Sequence, residues 1–136
     1  MDDLIWPRTK RDLLRRHPMG RDLGPEVRLV LLVGPVRVAL RVRPLTGARV
    51  EVLAEVARLD SFAPQDALRW NAELDAGALA ILDDVYVVRC VVDEVDDARV
   101  EARLVAAARG AALIKRVTHQ VVDPACCGVA FANYAE

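Results

Sequence analysis

The chain has 136 residues, of which 54 % are hydrophobic and 29 % charged, and its formal net charge is −1. This composition supports one hydrophobic core, so we predict a single domain over residues 1–136 and exclude global disorder. The apolar runs, such as residues 29–33, are far shorter than the roughly 20 residues that cross a bilayer. The sequence shows no secretory signal, and we therefore expect a cytoplasmic protein without a membrane association.

The first predicted element is a short helix over residues 8–17. Pro7 stands directly before it and Pro18 ends it, because proline fits the start of a helix and breaks its interior. We interpret His17 as a complement to the helix dipole rather than as a catalytic group. We interpret the basic residues as a solvent-exposed face, and a nucleic-acid-binding role of this helix stays open. These residues are Lys10, Arg11, Arg15 and Arg16.

Three strands are predicted next. Apolar and charged side chains alternate almost perfectly in residues 36–43, which is typical of a strand with one buried face. Residues 27–33 and 50–56 are predicted as further strands, joined to it by turns at Gly34 and Gly47.

The charge distribution supports an antiparallel pairing of these strands. The first 50 residues carry a net charge of +6 and the remainder carry −7. We predict that the basic half of the chain meets the acidic half within one sheet, where each cross-strand pair contributes about 0.2–1 kcal/mol. The residues that we expect side by side are Arg37, Arg41, Glu51 and Glu55.

The second half of the chain predicts a helix, a hairpin and a long closing helix. The first helix covers residues 64–73, and we predict its contact face from Leu68, Asn71 and Ala72, with Trp70 to the side. Residues 77–82 and 85–92 form the predicted hairpin, with a tight turn at Asp83 and Asp84.

The closing helix is predicted from Asp97, with Asp96 or Asp97 as its cap, to about Arg116. Gly110 in its middle indicates a close contact at that point. Its buried stripe is predicted from residues at helical spacing, namely Val100, Leu104, Ala107, Ala111 and Ile114.

The predicted order is helix, three strands, helix, two strands, helix. We therefore predict an α+β fold, with an antiparallel sheet of about five strands and helices packed on one side of it. The internal pattern of residues 66–115 is more specific than this order. A helix with Leu68 and Asn71 leads into a strand that opens Gly77-Ala78-Leu79-Ala80, and an acidic turn and a long helix follow.

This pattern resembles the type III secretion chaperone-like group, which comprises the Tir-chaperone and YbjN-like families of small bacterial proteins. The resemblance implies a non-catalytic homodimer that binds a segment of a partner protein, without a cofactor. Members of this group have no catalytic residues in the matching region, and the pattern is built from packing positions.

Several apolar residues are candidates for the partner or dimer interface. In the three predicted strands, four of them point away from the main apolar stripe, where arginines and glutamates otherwise lie. A partner or a second subunit can cover these four, and so can the N-terminal segment with Trp6 as a lid. The candidate interface residues are Val30, Leu32, Ala39 and Leu53, together with Trp70 and Gly110.

One cluster of reactive residue types lies near the end of the sequence. Cys126 and Cys127 stand close to His119 and Asp123. Zinc sites usually space their cysteines by two to four residues, so we predict no metal site here. A small thiol-dependent enzyme that uses these residues stays as an alternative function. Cys90, in the middle of a predicted strand, is expected to pack as a small apolar group.

Overall fold

The structure is a computed structural model that describes residues 5–61, 63–74 and 76–122, and of residues 117–122 it describes the backbone alone. The described part contains three α-helices, six strands and one short 3-10 turn at Leu59–Ser61. The helices are α1 (Ile5–Arg16), α2 (Pro64–Glu73) and α3 (Asp97–Val122). The strands are β1 (Arg21–Asp22), β2 (Val27–Val33), β3 (Val36–Leu45), β4 (Arg49–Arg58), β5 (Ala78–Leu82) and β6 (Val85–Val92).

The strands form one antiparallel sheet in the order β1-β2-β3-β4-β6-β5. The predicted α+β class and element order are confirmed, with three differences, of which one is that α3 continues to Val122 instead of ending near Arg116. The sheet has a sixth strand, because the two residues of β1 pair with Val27 and Arg28 at the start of β2. Helix α1 begins at Ile5, since its first turn tolerates Pro7.

The hydrophobic core lies between one face of the sheet and the helices. The alternating residues of β3 point into it, and so does the predicted stripe of α3, all of whose members are buried. Helix α1 contributes Leu13, and Trp6 packs against the same core. Trp6 is therefore part of the helix-covered side, and our alternative of a Trp6 lid over the opposite face was wrong. We call that opposite face, which carries no helix in the described residues, the open face.

The predicted contact face of α2 was wrong. Trp70 is buried in the core, whereas Leu68 is 72 % exposed. Ala67 and Leu74 are partly buried against the core on either side of Trp70. Ala67 and Trp70 are three residues apart on one face of α2, and Leu74 follows at its C-terminal cap. Leu68, Asn71 and Ala72 have the i, i+3, i+4 spacing of another face, and the bulk of the indole favours burial of the first face.

Two glycines allow close approaches inside the fold. A Cβ at Gly110 would lie 3.0 Å from Leu74 Cδ2 and 3.5 Å from Val88 Cγ1, so the predicted close contact in α3 is present within the chain itself. Gly77, at the start of β5, has a φ of +77°. A Cβ there would lie 2.6 Å from both the Arg89 carbonyl oxygen and Cys90 Sγ.

We expect Gly77→Ala to lower the free energy of unfolding by about 2–3 kcal/mol, because it adds a backbone clash to an unfavourable φ. Gly24→Ala is the matched control: its φ is +82°, but no atom lies within 4 Å of the added Cβ. The control variant should lower the free energy of unfolding by about 1–2 kcal/mol, because only the unfavourable backbone conformation contributes. Denaturant unfolding of both variants measures the difference, and equal losses would contradict the clash.

Candidate protein-interaction surfaces

The centre of the open face is a network of arginines and glutamates. Glu51 is only 4 % exposed. Its Oε1 accepts a hydrogen bond from Arg43 Nη2 at 2.6 Å, and its Oε2 accepts one from Arg89 Nε at 2.6 Å. Beside it, Arg41 Nη2 donates to Glu55 Oε1 at 3.2 Å. The predicted meeting of the basic and acidic halves of the chain is therefore present at the centre of the sheet.

The partners within this network differ in part from those we predicted. Glu51 pairs with Arg43 and Arg89 rather than with Arg37 or Arg41. The strand register explains the difference. Arg43 lies directly opposite Glu51 on β3, and Arg89 lies two residues from Val91, the residue opposite Glu51 on β6. Arg37 is the second residue of β3, at the end of the strand away from Arg43. It forms no ion pair within the described part of the chain.

Leu53 is buried although it lies on the open face. In the sheet register it stands directly between Arg41 and Arg89. Arginine side chains bury their aliphatic stems along apolar surface while the guanidinium stays in water, which accounts for this burial. Leu53 and Trp70 are thus interior residues of this chain, in contrast to the surface positions that we expected for them.

The apolar surface of the open face lies at its β2 side. Val30 is 63 % exposed and Leu32 is 68 % exposed. Ala39 lies directly opposite Val30 on β3, and its small side chain helps to line a hollow of about 220 Å³ that Met19 also lines. We call Met19, Val30, Leu32 and Ala39 the open-face stripe.

The backbone beside this stripe is also accessible. Strand β1 pairs only with Val27 and Arg28. On the side away from β3, residues 29–33 of β2 therefore have no neighbouring strand within the described residues. A strand edge of this kind offers unpaired N–H and C=O groups to an extended segment of another chain.

A second apolar surface lies at the opposite edge of the sheet, between α2 and β5. We call it the α2–β5 groove. Its volume is about 390 Å³, and Asn71 stabilises its base, because Oδ1 accepts a hydrogen bond from the Leu79 backbone N–H at 2.8 Å. Leu68 stands exposed on its helix side and Ile81 is 59 % exposed on its strand side. The groove is lined by Pro64, Ala67, Leu68, Asn71, Leu79, Ala80, Ile81 and Tyr86.

The two sheet edges differ in how they are protected against pairing. Strand β1 has only two residues, Arg21 and Asp22, and both are charged and exposed. Short, charged edge strands of this kind discourage the addition of another strand. Strand β5 has five residues, Ala78–Leu82, and none is charged. The β5 edge therefore lacks that protection.

Other residues singled out from the sequence have structural roles. His17 Nε2 lies 2.8 Å from Glu101 Oε1, which also accepts from Arg16 Nε at 2.8 Å, so the end of α1 is attached to α3. Asp96 caps α3, with Oδ1 accepting from the Arg99 N–H at 2.8 Å.

The predicted turn residues and the buried thiol also have structural roles. Asp83 and Asp84 both have positive φ in the tight turn between β5 and β6. Cys90 is buried, and its burial raises the pKa of the thiol.

The described residues contain no group of three or more histidine, cysteine or acidic side chains that could hold a metal ion. No helix among them is long and apolar enough to cross a membrane. Cys126, Cys127 and Asp123 lie outside the described residues, as does the side chain of His119. The thiol-dependent alternative therefore concerns side chains that lie outside the described part of the chain.

Comparison with known proteins supports the fold. No protein-family model and no curated protein matches the chain. Among solved structures, it is similar to a chain of the HopA1–SchA chaperone–effector complex, with a TM-score of 0.64 and 12 % sequence identity. The similarity covers 85 % of this chain and 97 % of that one. The described residues therefore share the fold of that chain.

The Glu51 network makes stability depend on acid pH. Burial of the Glu51 carboxyl acts to raise its pKa, but the hydrogen bonds from Arg43 and Arg89 outweigh burial and hold the pKa below its usual value of 4.5. A depressed folded-state pKa contributes stability above pH 4.5 that is lost as pH falls through the lower folded value.

We expect Glu51→Gln to lower the free energy of unfolding by about 1–3 kcal/mol at pH 7, because both guanidinium groups lose a charged acceptor. The difference from the wild type should shrink as pH falls below 4.5. Denaturant unfolding at a series of pH values measures it. A difference independent of pH would show that the Glu51 charge is not what stabilises the open face.

Proposed function

We propose that this protein is a non-catalytic, chaperone-like module of the bacterial cytoplasm that binds a segment of a partner protein as a homodimer. Type III secretion chaperones and YbjN-like regulators are the classes that it resembles. The supporting observation is the presence of two exposed apolar surfaces on a chaperone-like fold, the open-face stripe and the α2–β5 groove. The similarity to a chain of a chaperone–effector complex supports the same kind of role.

The separation of the two surfaces supports two simultaneous contacts. Strands β2 and β5 are four strand positions apart in the sheet, or about 19 Å at a spacing of 4.8 Å. A second copy bound at one surface therefore leaves the other accessible to a partner.

We assign the second copy to the α2–β5 groove. An antiparallel pairing of two β5 strands around a two-fold axis brings the same uncharged residues together from both copies, as an isologous interface requires. This pairing also buries Ile81 and Leu68, the most exposed apolar residues of the groove. The open-face stripe and the free edge of β2 then remain available to bind the partner segment.

In this proposal the protein has no catalytic step. The ionisable groups with short contacts in the described residues serve the sheet and the helix ends, as Glu51 and Glu101 illustrate. Binding, rather than bond making, is the activity that exposed apolar surfaces of this kind support.

We expect the wild-type protein to have twice the mass of one chain in solution, measured by size-exclusion chromatography with light scattering. Ile81→Asp should convert it to a monomer, because it would place a carboxylate from each copy within the apolar contact between the two β5 strands. Leu32→Asp is the matched control, as it places the same charge at an equally exposed apolar position outside the groove, and it should leave the mass unchanged. A monomeric wild type would contradict the homodimer.

We also expect the wild-type protein to select binders from a random library of displayed peptides, because its open-face stripe can bury apolar side chains of an extended segment. Leu32→Asp should lower the affinity for the selected peptides by about tenfold or more, since it places a charge in the apolar contact. Ile81→Asp serves here as the control and should retain binding. A library that yields no binder would contradict the proposed function itself.

A further inference from the structure

From the charges around the β2–β3 turn we infer that the partner segment is acidic as well as apolar: it carries a carboxylate next to alternating apolar residues. The inference rests on the proposed function, because it specifies the chemistry of the segment that the open-face stripe binds. It is carried by a separate observation, a group of three cations at the stripe's end that we call the basic tip: Arg37, Lys115 and Arg116.

The basic tip is continuous with the open-face stripe. Arg37 lies directly opposite Leu32 in the register of β2 and β3, so both side chains are on the open face. Opposite residues in an antiparallel pair have Cβ atoms about 4.5–5.5 Å apart. A ligand that covers Leu32 therefore comes within reach of the Arg37 guanidinium.

Two cations of α3 lie at the same turn. Lys115 Nζ donates a hydrogen bond to the Arg37 carbonyl oxygen at 3.2 Å, and Arg116 Nη2 donates to the Val33 carbonyl oxygen at 3.3 Å. These contacts fix the positions of the side chains with neutral acceptors. Neither group forms an ion pair with a carboxylate of the described residues.

The basic tip lacks the carboxylate partners that several other arginines of the open face have. Arg28, Arg41, Arg43 and Arg89 each form an ion pair, whereas Arg21 and Arg49, which the register also places on that face, form none within the described residues. Within residues 5–61, 63–74 and 76–116, no ion pair is formed by Arg37, Lys115 or Arg116. Burial lowers the pKa of Lys115, and the charge of Glu55 opposes that effect only in part.

The register of β2 sets the spacing that a bound segment needs. Val30 and Leu32 are two residues apart and lie on one face of the strand. An extended segment along β2 places its own alternate residues on that face at a similar spacing. Two apolar residues at positions i and i+2 then cover the stripe, and an aspartate or glutamate within the next few positions reaches the basic tip.

An acidic peptide fits these residues better than a nucleic acid does. Proteins that bind single strands without sequence preference stack bases on aromatic side chains. The described aromatic rings, Trp6, Trp70 and Tyr86, are buried in the core or packed against it. The neighbours of the basic tip on the open face are instead the aliphatic residues Leu32 and Val30, which suit apolar side chains.

The test uses the peptides selected by the full-length wild-type protein. We expect them to combine alternating apolar residues with a nearby carboxylate. Replacing that acid by its amide in the strongest binder should weaken binding about tenfold, as should Arg37→Gln. Arg11→Gln is the matched control, because Arg11 is exposed on α1 and forms no ion pair in the described residues. The affinity of the acidic peptide should also fall with added salt.

The outcomes separate this inference from the proposed function. If selected peptides lack acids, or if Arg37→Gln binds them as well as the wild type does while Leu32→Asp does not, the inference fails and segment binding stands. If no peptide is selected, both fail. A single-stranded oligonucleotide that displaces the peptide at equal affinity would overturn the inference in favour of a nucleic acid. Displacement by a synthetic peptide of residues 124–135 would overturn it in favour of this chain's own segment.

Discussion

The helices of the described residues all lie on one face of the sheet, so the other face must be stable in contact with water. The protein meets this constraint with charge at the centre of the open face. Glu51 lies between Arg43 and Arg89, and each of its carboxylate oxygens has a guanidinium donor at 2.6 Å. The aliphatic stems of the arginines on either side of Leu53 shield it from water, so this apolar residue of a central strand is buried without a second layer of helices.

A second constraint, the lack of a neighbouring strand at a sheet edge, accounts for the position of the two apolar surfaces. A central strand has neighbours on both sides, whose long side chains can cover an apolar residue. An edge strand has a neighbour on one side only, so Val30 on β2 and Ile81 on β5 stay exposed. The exposure of both residues is therefore a consequence of their edge positions, Val30 on the open face and Ile81 on the helix-covered face. The paired charges at the centre of the open face keep that region unsuited to apolar contacts.

Sequence patterns predicted those elements whose signal is local. Alternation over 36–43 and the apolar spacing of α3 were sufficient, and both are confirmed. Strand β1 was missed, since two charged residues form no periodic pattern. The alternating pattern placed Leu53 and Val30 on the same face of the sheet and predicted the same exposure for both. In the structure Leu53 is buried and Val30 is exposed. Their difference depends on strand order, which is a property of the whole sheet.

The contact surfaces were harder to predict because they depend on which of two similar stripes packs inward. On α2 the indole of Trp70 occupies the core, and this leaves Leu68 for the groove. The basic tip depends on tertiary structure even more, since Arg37 and Lys115 are 78 residues apart in the chain. Helix α3 both fills the core and carries Lys115 to the β2–β3 turn. The same helix that packs against the core thus also places two cations at the turn where the open-face stripe ends.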